Sequence, residues 1–302
     1  MDLLPTPSLR RPLGKSGIEV SSIAWGNWRL CGEDVGAVVH MLNAALDAGI
    51  TLVDSSDIYG PDNNEPFGAS EALLGRALAA EPGLRGRIEL ATKGGISMGV
   101  PYDSSARYLA AAIDASLQRL QTDHVELWQI HRPDILTHPA EIARVIEEAH
   151  KAGKIGSFGV SNFTVQQIAT MQQFLPLQIA STQPELSPLR LNPIENGELD
   201  QAIAMDMAVM AWSPLGGGRI ALPVTEREQA VAEALDVIAA DYGVSRTAAA
   251  YSWIMAHPAR PIPLVGSQKA DRIVEAVDAF KVRWTRTQWY DVLVASKGEA
   301  LP

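Results

Sequence analysis

Short apolar runs alternate with longer stretches whose apolar residues recur at helical spacing, and the alternation holds along almost the whole chain. After a pattern-poor lead-in at 1–10, residues 11–20 set Gly14-Lys15-Ser16-Gly17 between two short apolar pieces, which predicts a small hairpin. Strands are expected at 23–25, 51–53, 88–92, 125–130, 155–160, 178–183, 207–212 and 262–265. Helices are expected at 34–48, 70–80, 105–120, 139–152, 164–174, 194–205, 226–242, 245–256, 270–279 and 287–296. Ser70 reads as the cap of the second helix, and Gly49 and Gly153 as helix stops.

The eight strands are short and apolar on both faces, as parallel strands covered by helices must be. Eight βα repeats predict a closed (β/α)8 TIM barrel, a single domain over 1–302 with a short N-terminal β-hairpin. The rival is an open doubly wound sheet, whose first strand should lead into Gly-x-Gly-x-x-Gly. The only approach to that motif, Gly216, Gly218 and Ala221, runs into Pro223 rather than a helix.

In such a barrel the C-terminal strand ends converge on one site. The second strand ends at Asp54, with Tyr59 in its loop; the third ends at Lys93; the fourth at His131. The fifth, sixth and seventh end at Ser161-Asn162, Gln183 and Trp212-Ser213. Singly, each has an ordinary reading: Asp54 as a loop or cap residue, Lys93 as a solvated strand end, His131 as a structural histidine, Asn162 as a helix cap. Together, an acid, a phenol, an ammonium and an imidazole at adjacent strand ends make a proton-handling set. A buried Lys93 is expected to lower the Tyr59 pKa from about 10, with Asp54 keeping Lys93 charged. That would tune a general acid for a developing alkoxide, with His131 bonded to the substrate oxygen.

Composition narrows the class. The chain of 302 residues is 47% hydrophobic and 20% charged, with a net charge of −10, which argues against nucleic acid as a partner. The lone cysteine, Cys31, is expected to pack and can form neither an internal disulfide nor a multi-cysteine zinc site. No apolar run approaches membrane length and no signal-peptide core opens the chain, so the expected location is the cytoplasm. Paired His-x-His and clustered carboxylates are lacking at the strand ends, which disfavours a metal-dependent hydrolase.

These residues carry a resemblance. Asp54 with Tyr59-Gly60, Lys93, and His131 within Leu-Trp-Gln-Ile-His-Arg-Pro-Asp match the catalytic tetrad positions of the aldo-keto reductases. Gly159-Val160-Ser161-Asn162-Phe163 is similar to that family's fifth-strand motif. The likeness runs from the hairpin to about Ala279 and looks closest to the bacterial YdhF-like branch. It implies NADPH-dependent reduction of aldehydes or ketones, with Asp54, Tyr59, Lys93 and His131 catalytic and Tyr59 the acid. It implies that Ser161, Asn162 and Gln183 hold the nicotinamide carboxamide and that Trp212 stacks on the ring. Ser213, Pro214, Leu215 and Gly216 would follow the pyrophosphate. Ser267 and Arg272 would meet the adenosine 2′-phosphate, with Glu275 also on the adenosine side. Where many members carry a lysine this chain has Gly266, and the family's later asparagine is Ala276. Beside the first strand, Asn27 and Trp28 are expected to line an aromatic substrate pocket, with Trp25 in the core. The expected partner is a small-molecule carbonyl substrate, and the expected state a monomer or weak homo-oligomer. The alternative is a non-catalytic NADP(H)-binding regulatory or sensor protein, since potassium-channel β subunits also resemble the family.

Overall fold

The computed structural model describes residues 3–301. A two-stranded antiparallel hairpin, β1 (Arg10–Pro12) and β2 (Glu19–Ser21), precedes a closed parallel barrel. The barrel strands are β3 (Ala24–Gly26), β4 (Leu52–Asp54), β5 (Glu89–Gly94), β6 (Val125–Ile130), β7 (Ile155–Ser161), β8 (Ser181–Gln183), β9 (Ala208–Ala211) and β10 (Ile262–Val265), with β10 returning to β3. The hairpin plugs the bottom of the barrel: Leu13 and Val20 pack with Ala24, Leu52, Leu127 and Met210 in the interior. Its turn presses against the strand feet so closely that a Cβ on Gly14 would lie 2.5 Å from the Ala180 carbonyl.

The first helices follow the expected boundaries. They are α1 (Val35–Asp47), α2 (Ala69–Ala80), α3 (Ala106–Leu120), α4 (Pro139–Lys151) and α5 (Val165–Phe174). Asp34 and Ser105 cap α1 and α3, and Thr164 forms a capping box with Gln167 on α5, so Asn162 does not serve as the cap. Ser70 is not a cap either. Gly68 holds that place in a left-handed conformation, and the Ser70 hydroxyl donates instead to the Asn27 carbonyl. The expected helix at 194–205 is two, α6 (Asn192–Glu195) and α7 (Glu198–Met205), because Gly197 adopts φ 87° between them. α8 (Glu226–Tyr242) and α9 (Arg246–Met255) precede β10. Then α10 (Ala270–Glu275) tightens into a 3₁₀ turn at Ala276–Lys281, and α11 (Arg286–Lys297) closes the described chain.

Inward and outward side chains alternate along the strands, so the barrel interior is built in layers. The lower layers are apolar, and the upper layer is not: Asp54, Lys93, Gln129, Ser181 and Gln183 are all buried and linked by hydrogen bonds. Gly159 makes room for that layer, since a Cβ there would overlap the Ser181 hydroxyl. Cys31 is exposed rather than packed, because it sits in the polar loop between β3 and α1. Among the described residues no helix is long and apolar enough to cross a membrane, and no cluster of potential metal ligands occurs.

Candidate active site

Closure of the barrel brings β4, β5 and β6 side by side, with Asp54 paired in register to Ala91 and Lys93 to Gln129. Lys93 Nζ donates to Asp54 Oδ2 at 2.5 Å and to the Ser55 carbonyl at 2.8 Å. Lys93 Nζ also lies over the Tyr59 ring, 5.1 Å from its centroid, so the ammonium sits between the carboxylate and the phenol. Asp54 Oδ1 accepts from Gln129 and Gln183 at 3.3 and 3.1 Å. A buried charge pair is tolerable only when the remaining lone pairs are satisfied in this way.

Burial works against charge on Lys93, and the Asp54 carboxylate outweighs it, so the lysine pKa is raised. The tyrosine goes the opposite way from the expectation. Burial raises the Tyr59 pKa above 10, and the lowering by Lys93 does not make up the difference, partly because Asp54 opposes it. Tyr59 is therefore firmly a phenol at neutral pH. His131 lies edge-on to it, with ring centroids 5.8 Å apart. Burial, then the cations Lys93 and Arg132, hold His131 well below its ordinary 6.5, so its ring is neutral. A neutral imidazole and a protonated phenol around a charged lysine can hydrogen-bond an oxygen and give it a proton.

A second group of expected residues clusters at the ends of β7, β8 and β9. The Ser161 hydroxyl donates to the Gln183 carbonyl at 2.8 Å and accepts from Asn162 Nδ2 at 2.8 Å. Asn162 is left-handed, φ 60°, which aims its amide back across the strand ends. Its Nδ2 donates to the His131 carbonyl and its Oδ1 accepts from Trp212 Nε1 at 2.9 Å. The Arg132 guanidinium lies 5.8 Å over the Trp212 ring. Beyond Trp212, Ser213 is left-handed, Pro214 and Leu215 follow, and Gly216, Gly217 and Gly218 all take positive φ. Gly217 and Gly218 face open space where a Cβ would sit, leaving a bare backbone turn suited to an extended anion.

The third group is at β10. The Ser267 carbonyl accepts from Trp25 Nε1, fixing the loop, and its hydroxyl accepts from the Lys269 amide. Arg272 is exposed, and its guanidinium makes no ion pair among the described residues; Glu275 instead accepts from Thr247. Arg29 comes over the same loop, since a Cβ on Gly266 would be 3.4 Å from its Nη1. Trp28 is 41% exposed and donates to Asp62, while Asn27 is buried beside Asp54 with neither amide atom partnered. Trp25 lies in the core as expected, and of the two indoles Trp28 is the one that faces solvent.

A cavity of about 330 Å³ adjoins these groups, the size of a small-ligand site. Arg132, Asn162, Glu185, Arg190, Asn192, Glu198 and Trp212 line it, and Glu185 and Arg190 face each other at 3.4 Å. Residues 22–293 match the Aldo/keto reductase family.

The chain belongs to that family.

It is 58% identical, over the full length of both chains, to a 6-dehydroglucose reductase of Novosphingobium aromaticivorans. It is 35% identical to the oxidoreductase YdhF of Escherichia coli, over 97% of this chain and 99% of that one. In fold it is similar to the crystal structure of a thermostable aldo-keto reductase in complex with the inhibitor epalrestat, with a TM-score of 0.81 at 21% identity. That likeness covers 95% of this chain and 100% of the other. This aldo-keto reductase is accordingly an NAD(P)H-dependent oxidoreductase.

Four residues at the site were not singled out from sequence. Ser56 and Asp57 lie in the loop after Asp54, Gln129 is the polar inward residue of β6, and Arg132 reaches Trp212. The one available signal was polarity out of place: Gln129 interrupts an apolar strand, and 54–57 are four consecutive polar residues that the fold buries completely.

Proposed function

We propose that this aldo-keto reductase reduces the aldehyde or ketone group of a hydroxylated, sugar-like substrate with NADPH, using Tyr59 as the general acid. The convergence of Tyr59, Lys93, Asp54 and His131 at one strand-end mouth supports this reading most. When bound, the cofactor supplies the hydride. Ser161, Asn162 and the free amide oxygen of Gln183 would hold its carboxamide, and Trp212 would stack on its ring. The Ser213–Gly218 turn would hold its pyrophosphate, and Ser267, Arg272 and Glu275 its adenosine end. Open glycine backbone and an unpaired guanidinium are the features such a group needs.

The protein's own residues handle the proton and the charge. Tyr59 donates its proton to the carbonyl oxygen as that oxygen becomes an alkoxide. His131 hydrogen-bonds the same oxygen and orients it. Lys93, anchored by Asp54, stabilises the tyrosinate left behind, which is the moment its charge counts most. The raised resting pKa of Tyr59 fits this division: the phenol is protonated before reaction and meets the ammonium's full field once ionised.

The substrate class rests on a relative rather than on the cavity beside Asn162 and Trp212, whose lining mixes charged side chains with Phe163, Pro184, Pro193 and the Trp212 ring and includes none of Asp54, Tyr59, Lys93 and His131. The relative with 58% identity is named for a dehydroglucose, a sugar with one alcohol raised to a carbonyl. The test is NADPH oxidation with 6-dehydroglucose, simple hydroxyaldehydes and apolar aldehydes of equal length. The highest kcat/KM is expected for the sugar aldehyde. Cofactor binding with no turnover on any carbonyl would favour a regulatory protein instead.

A further inference from the structure

We infer that Ser56 is a positioning residue for His131: its hydroxyl donates to Nδ1 and so leaves the ring proton on Nε2, where the substrate oxygen needs it. This rests on the proposed role of His131 as a donor to the carbonyl. A neutral imidazole has one N–H, and which nitrogen carries it is set by the partner of the other. Ser56 Oγ lies 2.9 Å from His131 Nδ1, and both belong to segments that only barrel closure joins.

Ser56 has a single proton and three acceptors within range. The Lys93 carbonyl is 3.2 Å away and Asp57 Oδ1 3.4 Å, both longer than the contact to Nδ1. The Lys93 carbonyl already accepts from the Asp57 amide at 3.0 Å and does not require the hydroxyl. Asp57 is a poor competitor for a different reason. It is buried, its Oδ2 has no hydrogen-bond partner, and burial followed by the Glu71 carboxylate pushes its pKa well above the usual range. Its contact to Ser56 is the longest of the three, and its surroundings disfavour the charge that would make it a strong acceptor. Nδ1 is then the acceptor that remains, and leaving it bare in a half-buried ring would forfeit a hydrogen bond. The shortest contact therefore takes the proton, and the bond runs from Ser56 Oγ to His131 Nδ1. In the other tautomer Nε2 would turn a lone pair toward the lone pairs of the carbonyl oxygen, and the orienting bond would become a repulsion.

The test uses the full chain with isotope-labelled histidine. Long-range nitrogen–proton correlation NMR on the resting protein identifies the protonated ring nitrogen of His131, assigned by the signal lost in His131→Ala. The expected result is Nε2–H in the wild type and a mixture of tautomers in Ser56→Ala. Kinetically, Ser56→Ala should lose about tenfold to a hundredfold in kcat, less than the roughly 10²–10³ lost when an oxyanion donor is deleted, with NADPH affinity unchanged. Ser56→Cys, which keeps a weak donor in nearly the same volume, should fall between the two. A wild-type ring protonated on Nδ1, or a Ser56→Ala enzyme with wild-type tautomer and turnover, overturns the assignment. The NMR result requires neither cofactor nor carbonyl, so it stands or falls separately from the proposed reaction.

Discussion

Lys93 Nζ and Asp54 Oδ2 meet at 2.5 Å in the upper layer of the barrel, with 0% and 2% of their side chains exposed. The pair is a structural element as much as a chemical one. Lys93→Met strands a carboxylate in the barrel, although Gln129 and Gln183 still donate to it. Removing one partner of a buried pair typically costs about 3–5 kcal/mol. Denaturant unfolding should show a loss near the lower end of that range, because two amides remain. A loss below ~1 kcal/mol would mean the layer is solvated and the pair is not truly buried.

Tyr59→Phe should remove the proton donor and leave the pocket's shape. Turnover is expected to fall by roughly 10²–10⁴, the usual contribution of a general acid. The NADPH dissociation constant should stay within about twofold, since Tyr59 is not among the groups proposed to hold the cofactor. Steady-state reduction and fluorescence titration check the two parts. Near-normal turnover would assign the proton to another group.

The pH profile follows from two shifts in opposite directions. Tyr59 is raised above 10, so the acid form needed for reduction persists until alkaline pH. His131 is depressed well below 6.5, so it does not gain a charge near neutrality. For reduction, kcat/KM should be flat between about pH 6.5 and 10 as far as these groups are concerned, and fall only above it. An alkaline limb near pH 8 would show that Lys93 outweighs burial in the working enzyme. A limb at 6.5 would show a solvated His131.

The alternation of apolar runs was enough to predict the barrel, because eight strands buried on both faces leave few other arrangements. Asp54, Lys93 and His131, with Tyr59 in the loop after Asp54, stood out only together: one polar strand tip has an ordinary reading, and three adjacent ones with a phenol beside them do not. What could not be read was anything decided by closure. Ser56 is an ordinary loop serine until β4 and β6 are brought around β5 to set it against His131. The direction of the Tyr59 shift depends on desolvation, which a sequence does not display, and the charge of Lys93 alone pointed the wrong way. Gly197 divides α6 from α7 within an apolar pattern that by itself reads as one helix.

Trp212 is expected to stack on the nicotinamide, and its indole N–H already bonds Asn162 Oδ1. Cofactor binding should therefore quench tryptophan fluorescence. Trp212→Ala should lessen the quench and weaken binding. Trp212→Phe should keep affinity while losing the Asn162 bond. An unchanged dissociation constant in Trp212→Ala would exclude stacking.

Cofactor choice is expected to turn on Arg272. It stands in α10 five residues after Ser267, exposed and without an ion pair among the described residues, whereas the neighbouring Glu275 is engaged by Thr247. An unpaired guanidinium at the expected 2′-phosphate position is available to bond it, with Lys269 nearby. Arg29, whose guanidinium lies over the Trp28 ring, brings a second cation to the same loop, with Nη1 3.4 Å from where a Cβ on Gly266 would sit. The adenosine end is thus expected to favour NADPH over NADH. Because Arg272 is exposed, solvent screens it, and its loss should cost about tenfold, the low end of a charge-assisted bond. Arg272→Ala should weaken NADPH by that factor and leave NADH nearly unchanged, since NADH has no 2′-phosphate to lose. Adding Arg29→Ala should deepen the effect on NADPH alone. The measurement is the ratio of the two dissociation constants in each protein at fixed salt. Equal binding of both cofactors by the wild type, or equal weakening of both by Arg272→Ala, would remove the 2′-phosphate from this site.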